Sequence, residues 1–186
     1  MSAIQLTRQY HFSAGHRLES ASLSPEDNAR IYGQCYRQHG HNYLVEVTVE
    51  GRPDPITGMA TDLGALDATV KRFILDRVDH YDLSSTVPAL AGVTTTGENL
   101  ARAFWEWLEP ALAAGTLRRV AVVETDNNTF EYRGRAGSEA YDRADERGEQ
   151  AYVLKPSDCA GRADTGAAAG TEAAIARPDQ RVEDDE

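Results

Sequence analysis

A strict alternation of side chains over residues 39–49 constrains the fold more than any other feature of the sequence. One side of this segment carries His39, His41, Tyr43, Val45, Val47 and Val49. The residues between them are mostly polar or small. Because successive side chains of a β-strand point to opposite faces, the segment is predicted to be a strand with one buried face.

Three further strands are predicted in the same part of the chain. Tyr10–His16 shows the same alternation, and apolar runs at residues 117–126 and 129–134 flank a pair of asparagines that tolerate turn geometry. Short connections between consecutive strands favour antiparallel pairing.

Two helices are predicted between the second and third strands. Asp62 is a predicted N-cap, and apolar residues then recur at helical spacing as far as Val78. Thr95 and Glu98 have the spacing of a capping box for the second helix, whose apolar stripe starts at Leu100. The order ββααββ predicts an α+β fold, in which both helices pack on one face of an antiparallel four-stranded sheet.

Composition changes sharply near residue 135. Residues 1–135 contain 17 acidic and 13 basic residues, a net charge of −4, whereas residues 136–186 contain 13 acidic and 6 basic residues, a net charge of −7. The second part consists mainly of alanine, glycine and charged residues, so it cannot bury enough surface to offset the entropy of ordering. We therefore expect one folded domain, 1–135, and a disordered acidic tail, 136–186.

Charge and cysteine content exclude several classes of partner. A net charge of −11 repels nucleic acid and anionic membranes. The sequence has no apolar run of about 18 residues and no export signal at its start, so a cytoplasmic protein without membrane contact is expected. The cysteines, Cys35 and Cys159, are too far apart in sequence and too different in context to suggest a disulfide framework.

The spacing of the histidines indicates a metal-binding site. Side chains at i and i+2 of a strand point the same way, with Cα atoms roughly 6 to 7 Å apart, so His39 and His41 can hold one ion. His16, at the end of the preceding strand, is the best third donor, since His11 has the opposite parity and His80 follows the first helix. Three imidazoles and an exchangeable fourth ligand suit zinc, although affinity alone does not exclude nickel or copper. The alternative is an ordinary set of surface or core histidines.

Other candidate residues also have structural explanations. Cys35 is either a small buried side chain or a fourth ligand that closes the metal site. Asp79 and His80 suit a helix C-terminus, where a cationic histidine is favourable. Glu124 is predicted to share the buried face of its strand, so it needs either an arginine or a ligand with N–H donors.

The ordered segments HFSAGH, CYRQHGHNY, TGMATDLGALDATV, VDHYDLS, TTTGEN and ETDNNTFEY resemble the 6-pyruvoyl-tetrahydropterin synthase and 6-carboxy-tetrahydropterin synthase family. They span nearly all of residues 4–135. The resemblance implies the tunnelling fold (T-fold), in which three subunits join their sheets into a barrel. It also implies that two barrels stack into a homohexamer, with active sites between subunits.

The resemblance also implies roles for individual residues. It assigns zinc to His16, His39 and His41. It assigns catalysis to Cys35 and to an Asp-His pair, Asp79 and His80, that a neighbouring subunit contributes. It makes Glu124 the anchor of the pterin and suggests that Thr95 and Thr96 line the same pocket.

The implied activity is that of a zinc-dependent lyase acting on the small molecule 7,8-dihydroneopterin triphosphate. Three residues separate Cys35 from His39, as in the bacterial 6-carboxy-tetrahydropterin synthases of queuosine and deazapurine biosynthesis, which release triphosphate and acetaldehyde. This product is preferred because insert length shapes the pocket. The alternative is a 6-pyruvoyl-tetrahydropterin synthase of a tetrahydrobiopterin-type pathway, which ETDNNTFEY and HNYLVEVTVEG resemble more closely. A second alternative is a non-catalytic subunit that binds zinc and pterin.

Overall fold

A computed structural model describes residues 2–113 and 116–134. The predicted tail, 136–186, lies outside the described residues, as does Cys159. Within the described ranges, no helix is both long and apolar enough to cross a membrane.

Four antiparallel strands form one sheet in the order β1-β2-β3-β4. They are β1 (Ile4–His16), β2 (His39–Gly51), β3 (Leu117–Thr125) and β4 (Asn128–Tyr132). All four predicted strands are confirmed, although β1 begins at Ile4 rather than at Tyr10. The sheet and its antiparallel pairing agree with the predicted α+β fold.

The two faces of the sheet differ as the alternation predicts. On the core face, Tyr43 and the three valines that follow it in alternation are fully buried. Cross-strand polar pairs cover the opposite face: Thr7 with Thr48, Gln9 with Glu46, and Ser13 with Asn42. A sheet of this kind buries one face and leaves the other polar.

A short helix between β1 and β2 was not predicted. This helix, α1 (Pro25–Tyr32), is capped by the side chain of Ser24, which accepts a hydrogen bond from the backbone N–H of Asp27 at 3.1 Å. Its residues are mostly polar, so it lacks the apolar stripe by which amphipathic helices are identified. The serine cap followed by proline and two acidic residues was the signal in the sequence. The predicted order ββααββ therefore lacks one helix, α1.

The predicted helix from Asp62 to Val78 is confirmed in three consecutive parts. These are α2 (Leu63–Val70), one π-helical turn (Lys71–Leu75) and α3 (Asp76–Val78). Asp62 is the N-cap, and its carboxylate accepts a hydrogen bond from the N–H of Ala65 at 3.0 Å. The buried side of this helix packs into the core against the sheet.

The last helix, α4 (Gly97–Leu108), corrects the predicted cap by one residue. Thr96 is the N-cap, and its hydroxyl accepts from the N–H of Asn99 at 3.5 Å. The capping box of Thr95 and Glu98 is therefore wrong: Glu98 lies exposed in the first turn, and Thr95 is fully buried. The shift matters because it leaves Thr95 to contact the predicted metal site.

Candidate active site

His16, His39 and His41 converge at one end of the sheet. The register of β1 and β2 pairs His16 directly with His39 and places His41 opposite Ala14. One ring nitrogen from each histidine lies within 4.8 Å of the other two, which is close enough for the three to hold one metal ion. His16 is 1% exposed, and the other two histidines are partly exposed. The geometry confirms that the three predicted side chains come together.

Backbone carbonyls orient two of the rings. His16 Nδ1 donates to the carbonyl oxygen of Thr95 at 3.0 Å, and His39 Nδ1 donates to that of Arg37 at 2.7 Å. Since a carbonyl oxygen can only accept, Nδ1 carries the proton in each neutral ring, and Nε2 then carries a lone pair.

The Nε2 atoms of His16 and His39 lie 3.1 Å apart. A tetrahedral zinc ion with Zn–N bonds of about 2.0 to 2.1 Å separates its nitrogen ligands by about 3.3 Å. This spacing and the three-imidazole donor set fit a transition-metal ion.

Burial keeps the histidines in the form that binds metals. Burial lowers the pKa of His16 to about 4, and the charges of His39 and His41 contribute in the same direction. Burial also lowers the pKa of His41. Because metal ions bind neutral imidazole, these two residues need not release a proton near neutral pH.

Glu124 lies beside the three histidines. It follows Val120 and Val122 on the buried face of β3, as predicted, and is 15% exposed. Its Oε1 lies 3.6 Å from His16 Nε2 and 3.9 Å from His41 Nε2. Burial raises its pKa.

The two explanations of Glu124 that the sequence left open can now be compared. Across residues 2–113 and 116–134, no arginine or lysine forms an ion pair with its carboxylate. A structural arginine therefore does not account for this buried acid within the described chain. The interpretation that remains from the sequence is a ligand that carries N–H donors.

Cys35 lies in the turn that leads into β2. This 3₁₀ turn, Gly33–Tyr36, is held to the segment after β1 by a hydrogen bond of 2.8 Å from Leu18 N to the Cys35 carbonyl oxygen. Burial raises the pKa of Tyr43, and the charges of Glu124 and Cys35 contribute in the same direction. The three-histidine group does not include Cys35, which disfavours the fourth-ligand interpretation for the described residues.

Asp79 and His80 form a pair that points outward. His80 Nδ1 lies 2.9 Å from Asp79 Oδ1, and the same oxygen accepts a hydrogen bond from the N–H of Ser13 at 2.9 Å. His80 has a φ of 64° and a side chain that is 81% exposed. Within the described part of one chain, no hydrogen bond or ion pair joins His80 to the three histidines.

Thr95 and Thr96 already have partners inside the chain. Besides holding His16, Thr95 places its hydroxyl 3.1 Å from Ser84 Oγ, and Ser84 also contacts the backbone of Arg17. Thr96 caps α4. Thr95 thus orients the ring of His16 in the candidate metal site, a role that the sequence did not suggest.

Comparison with known proteins identifies the family. A family model described as 6-pyruvoyl tetrahydropterin synthase matches residues 5–135. The chain belongs to this family. The human 6-pyruvoyl tetrahydrobiopterin synthase is 44% identical over 132 residues, which cover 70% of this chain and 91% of the human protein. The structure of the Caenorhabditis elegans 6-pyruvoyl tetrahydropterin synthase superposes with a TM-score of 0.69 at 36% identity, covering 72% of this chain and 97% of that chain.

A relative named for the carboxy product is less similar. The 6-carboxy-5,6,7,8-tetrahydropterin synthase of Rickettsia bellii is 29% identical over 77 residues, which cover 41% of this chain and 49% of that protein. Within this family, the sequence similarities to named relatives therefore favour the pyruvoyl type. The spacing of Cys35 and His39 predicted the carboxy type instead.

Some contacts in the candidate site of this 6-pyruvoyl tetrahydropterin synthase family member could not be predicted from the sequence. The carbonyl oxygens of Thr95 and Arg37 fix two histidine rings, but any residue type carries such an oxygen. Tyr43 fits the apolar pattern of β2, which hides the fact that its hydroxyl lies 3.4 Å from both ring nitrogens of His16.

Proposed function

We propose that the protein is a zinc-dependent 6-pyruvoyl-tetrahydropterin synthase, a lyase that eliminates triphosphate from 7,8-dihydroneopterin triphosphate. The observation that carries this proposal is the position of Glu124, whose carboxylate lies 3.6 Å from His16 in the three-histidine group. The proposed pterin anchor would thus lie beside the proposed metal site, in a chain that belongs to this family. The pyruvoyl product is supported by the human and nematode relatives.

Glu124 is the proposed anchor of the pterin ring. Its carboxylate can accept two N–H hydrogen bonds from the guanidine-like edge of a pterin, a charge-assisted bidentate match. Thr96, and the backbone of Thr95, are proposed to line the same pocket beside it. The partial burial of Glu124 strengthens these hydrogen bonds, because little water competes for the carboxylate.

His16, His39 and His41 are the proposed zinc ligands. A zinc ion held by these residues supplies Lewis acidity towards the side-chain hydroxyls of the substrate. The carbonyl oxygens of Thr95 and Arg37 orient the rings of His16 and His39, which leaves the Nε2 atom of each available to the metal.

Proton transfer is assigned to Cys35 and to the Asp79–His80 pair. As a thiolate, Cys35 removes a proton from the substrate side chain, and His80, oriented by Asp79, relays protons. His80 is proposed to act in the site of a neighbouring subunit of a homohexamer built from two trimers. The outward orientation of its side chain, 81% exposed, supports this arrangement.

The proposed reaction balances without an external oxidant. The C3′–O bond breaks and its electron pair leaves with triphosphate, while elimination across C2′ and C3′ leaves a ketone at C2′. Oxidation of the C1′ alcohol to a second ketone provides the two hydrogens and two electrons that reduce the dihydropterin ring to the tetrahydropterin. The protein therefore needs only groups that bind, orient and move protons.

The 6-carboxy product is the second candidate. It is favoured by the three residues between Cys35 and His39, a shorter connection than the resemblance implies for animal pyruvoyl enzymes. That reaction also releases triphosphate, but it cleaves the side chain and releases acetaldehyde.

Mass spectrometry of the products from 7,8-dihydroneopterin triphosphate tests the proposal. A 6-pyruvoyl product with triphosphate and without acetaldehyde is expected. A 6-carboxy product with acetaldehyde selects the second candidate. Absence of consumption by zinc-loaded protein contradicts both and favours a non-catalytic subunit that binds zinc and pterin.

We further propose that residues 1–135 form the catalytic domain, because the family match covers residues 5–135. Turnover by a chain that ends at residue 135 should equal turnover by the full chain at the same zinc occupancy. A loss of turnover with retained zinc would assign a catalytic contribution to residues 136–186.

A further inference from the structure

The carboxylate of Asp82 organises the turn that follows the Asp79–His80 pair. Asp82 Oδ1 accepts hydrogen bonds from the backbone N–H groups of Ser84 and Ser85, at 2.9 and 3.0 Å. These bonds are typical of an aspartate that begins a turn, and they use only one of its two oxygens. Asp82 Oδ2 is therefore available to contact another part of the chain.

The second oxygen of Asp82 accepts a hydrogen bond from the side chain of Gln38. Gln38 Nε2 lies 2.5 Å from Asp82 Oδ2. Gln38 belongs to the three-residue connection between Cys35 and His39. An amide that donates to a carboxylate forms a charge-assisted hydrogen bond, which is stronger than one between neutral groups. This contact joins the connection that follows Cys35 to the segment that follows His80.

Gly15 on β1 leaves room for this contact. A Cβ atom at Gly15 would lie 3.2 Å from Gln38 Nε2 and 3.9 Å from Asp82 Oδ2, so the hydrogen bond passes over a position without a side chain. The N–H of Gly15 donates to the carbonyl oxygen of Tyr81 at 3.0 Å, and its own carbonyl oxygen accepts from the N–H of Leu83 at 2.8 Å. Strand β1 therefore fixes the backbone on both sides of Asp82.

The position of Cys35 should depend on this contact more than the position of His39 does. His39 begins β2, and its pairing with His16 on β1 fixes its backbone. Cys35 lies before the strand, in the 3₁₀ turn Gly33–Tyr36. Because only three residues separate Cys35 from His39, a restraint on Gln38 limits the positions that the turn can adopt.

We infer that Gln38 and Asp82 are positioning residues, whose hydrogen bond fixes the turn that carries Cys35 and thereby sets the position of its thiol. This inference rests on the proposed function, in which Cys35 removes a proton from the substrate. Displacement of a reacting group by about 1 Å can lower a rate about 100-fold. Neither Gln38 nor Asp82 is a proposed zinc ligand or pterin anchor, so loss of their hydrogen bond should affect proton transfer.

The substitution Gln38→Ala removes the hydrogen bond and leaves the turn at Asp82 intact. We expect kcat to fall about tenfold or more, because the thiol is no longer held in place. KM for 7,8-dihydroneopterin triphosphate should change less than about twofold, since Glu124 on β3 is unaffected. Zinc content should stay the same. Amide hydrogen exchange of residues 34–38, measured by mass spectrometry, should become faster.

Gln9→Ala is the matched control. Gln9 Nε2 also donates to an exposed carboxylate, that of Glu46, at 2.8 Å on the polar face of the sheet. Its removal should leave kcat and the exchange of residues 34–38 unchanged. This outcome would show that loss of a glutamine–carboxylate hydrogen bond is not by itself sufficient.

An exchange of donor and acceptor tests whether the two residues act through each other. Gln38→Glu places a second carboxylate against Asp82 and should lower kcat at least as much as Gln38→Ala. Adding Asp82→Asn restores the hydrogen bond in the reverse direction, because the amide oxygen still serves the N–H groups of the turn and the amide nitrogen faces position 38. The double variant should return kcat to within about threefold of the wild-type value. Failure of this rescue would overturn the inference.

Two results with Gln38→Ala alone would also overturn it. The first is an unchanged kcat. The second is loss of zinc, which would mean that the hydrogen bond serves His39 rather than Cys35.

Hydrogen exchange of the full-length proteins separates this inference from the proposed function. Failure of the zinc-loaded wild-type protein to consume the substrate contradicts the proposed function. Exchange of residues 34–38 still decides whether the hydrogen bond fixes the turn. Faster exchange in Gln38→Ala that the double variant reverses supports the positioning role, and unchanged exchange in Gln38→Ala overturns it.

Discussion

His16 and His39 are direct cross-strand partners, and their Nε2 atoms lie 3.1 Å apart although neither carries the proton. A cation bound by both nitrogens would remove the repulsion between two acceptor atoms at this distance. We expect His39→Ala to lower zinc affinity by more than about 100-fold, since even residues that only support a ligand contribute 10- to 100-fold. Metal content after dialysis against a competing chelator, measured by elemental analysis, checks this.

His11→Ala is the control for the metal experiment. His11 lies on β1 but is exposed on the face opposite His16, so its removal should leave one zinc per chain. Equal zinc loss from both variants, or no zinc in the wild-type protein, would contradict the metal assignment.

Cys35→Ala should retain zinc and lose turnover. The thiol lies outside the three-histidine group, and proton transfer by a positioned side chain contributes about 10² to 10⁴ in rate. We therefore expect kcat to fall at least about 100-fold at unchanged zinc content. If zinc is lost together with turnover, Cys35 is a ligand and its assignment as a base is wrong.

The site could be predicted from the sequence where side-chain direction depends on strand parity alone. His39 and His41 are two residues apart on β2, and Glu124 follows two buried valines on β3, so local pattern determines the face that each occupies. His16 required the further assumption that β1 and β2 are neighbours. Its register opposite His39 confirms that assumption.

The contacts that the sequence did not reveal arise from backbone atoms and from small shifts in helix boundaries. The cap of α4 is Thr96 rather than Thr95 because either hydroxyl suits a cap, and only the fold decides which one is buried. With Thr96 as the cap, the carbonyl oxygen of Thr95 accepts a hydrogen bond from His16 Nδ1. α1 was missed for a different reason, because its polar residues give no periodic apolar signal.

The stability of the zinc-free protein should depend on pH between about 4 and 6.5. Burial lowers the pKa of His16 to about 4, whereas an exposed histidine titrates near 6.5. In this window the unfolded chain binds a proton that the native His16 does not, so stability is complete above about pH 6.5 and falls as the pH falls towards 4. The shift corresponds to about 3 kcal/mol.

Urea unfolding of chelator-treated protein at fixed protein concentration measures this dependence. The substitution His16→Gln removes the titrating group, so the free energy of unfolding should change less across the window than in the wild-type protein. Identical pH dependence in the two proteins would show that His16 does not carry the effect.

Gly97 lies directly against the ring of Phe130, where the start of α4 meets β4. A Cβ atom on Gly97 would lie 1.9 Å from Phe130 Cδ2. Gly97→Ala should therefore destabilise the fold by about 1 to 3 kcal/mol through overpacking, although alanine is the better helix former by about 1 kcal/mol. Thermal or urea unfolding measures the change.

Gly64→Ala provides the matched control for this packing prediction. Gly64 lies near the start of α2, and the nearest atom to an added Cβ there is Asp62 Oδ1 at 3.4 Å, an ordinary contact. This substitution should leave stability unchanged or raise it by up to about 1 kcal/mol. Phe130→Leu in the Gly97→Ala background should recover part of the loss, because a smaller side chain makes room for the methyl group. Equal stability of Gly97→Ala and wild-type protein would mean that the ring moves aside without cost.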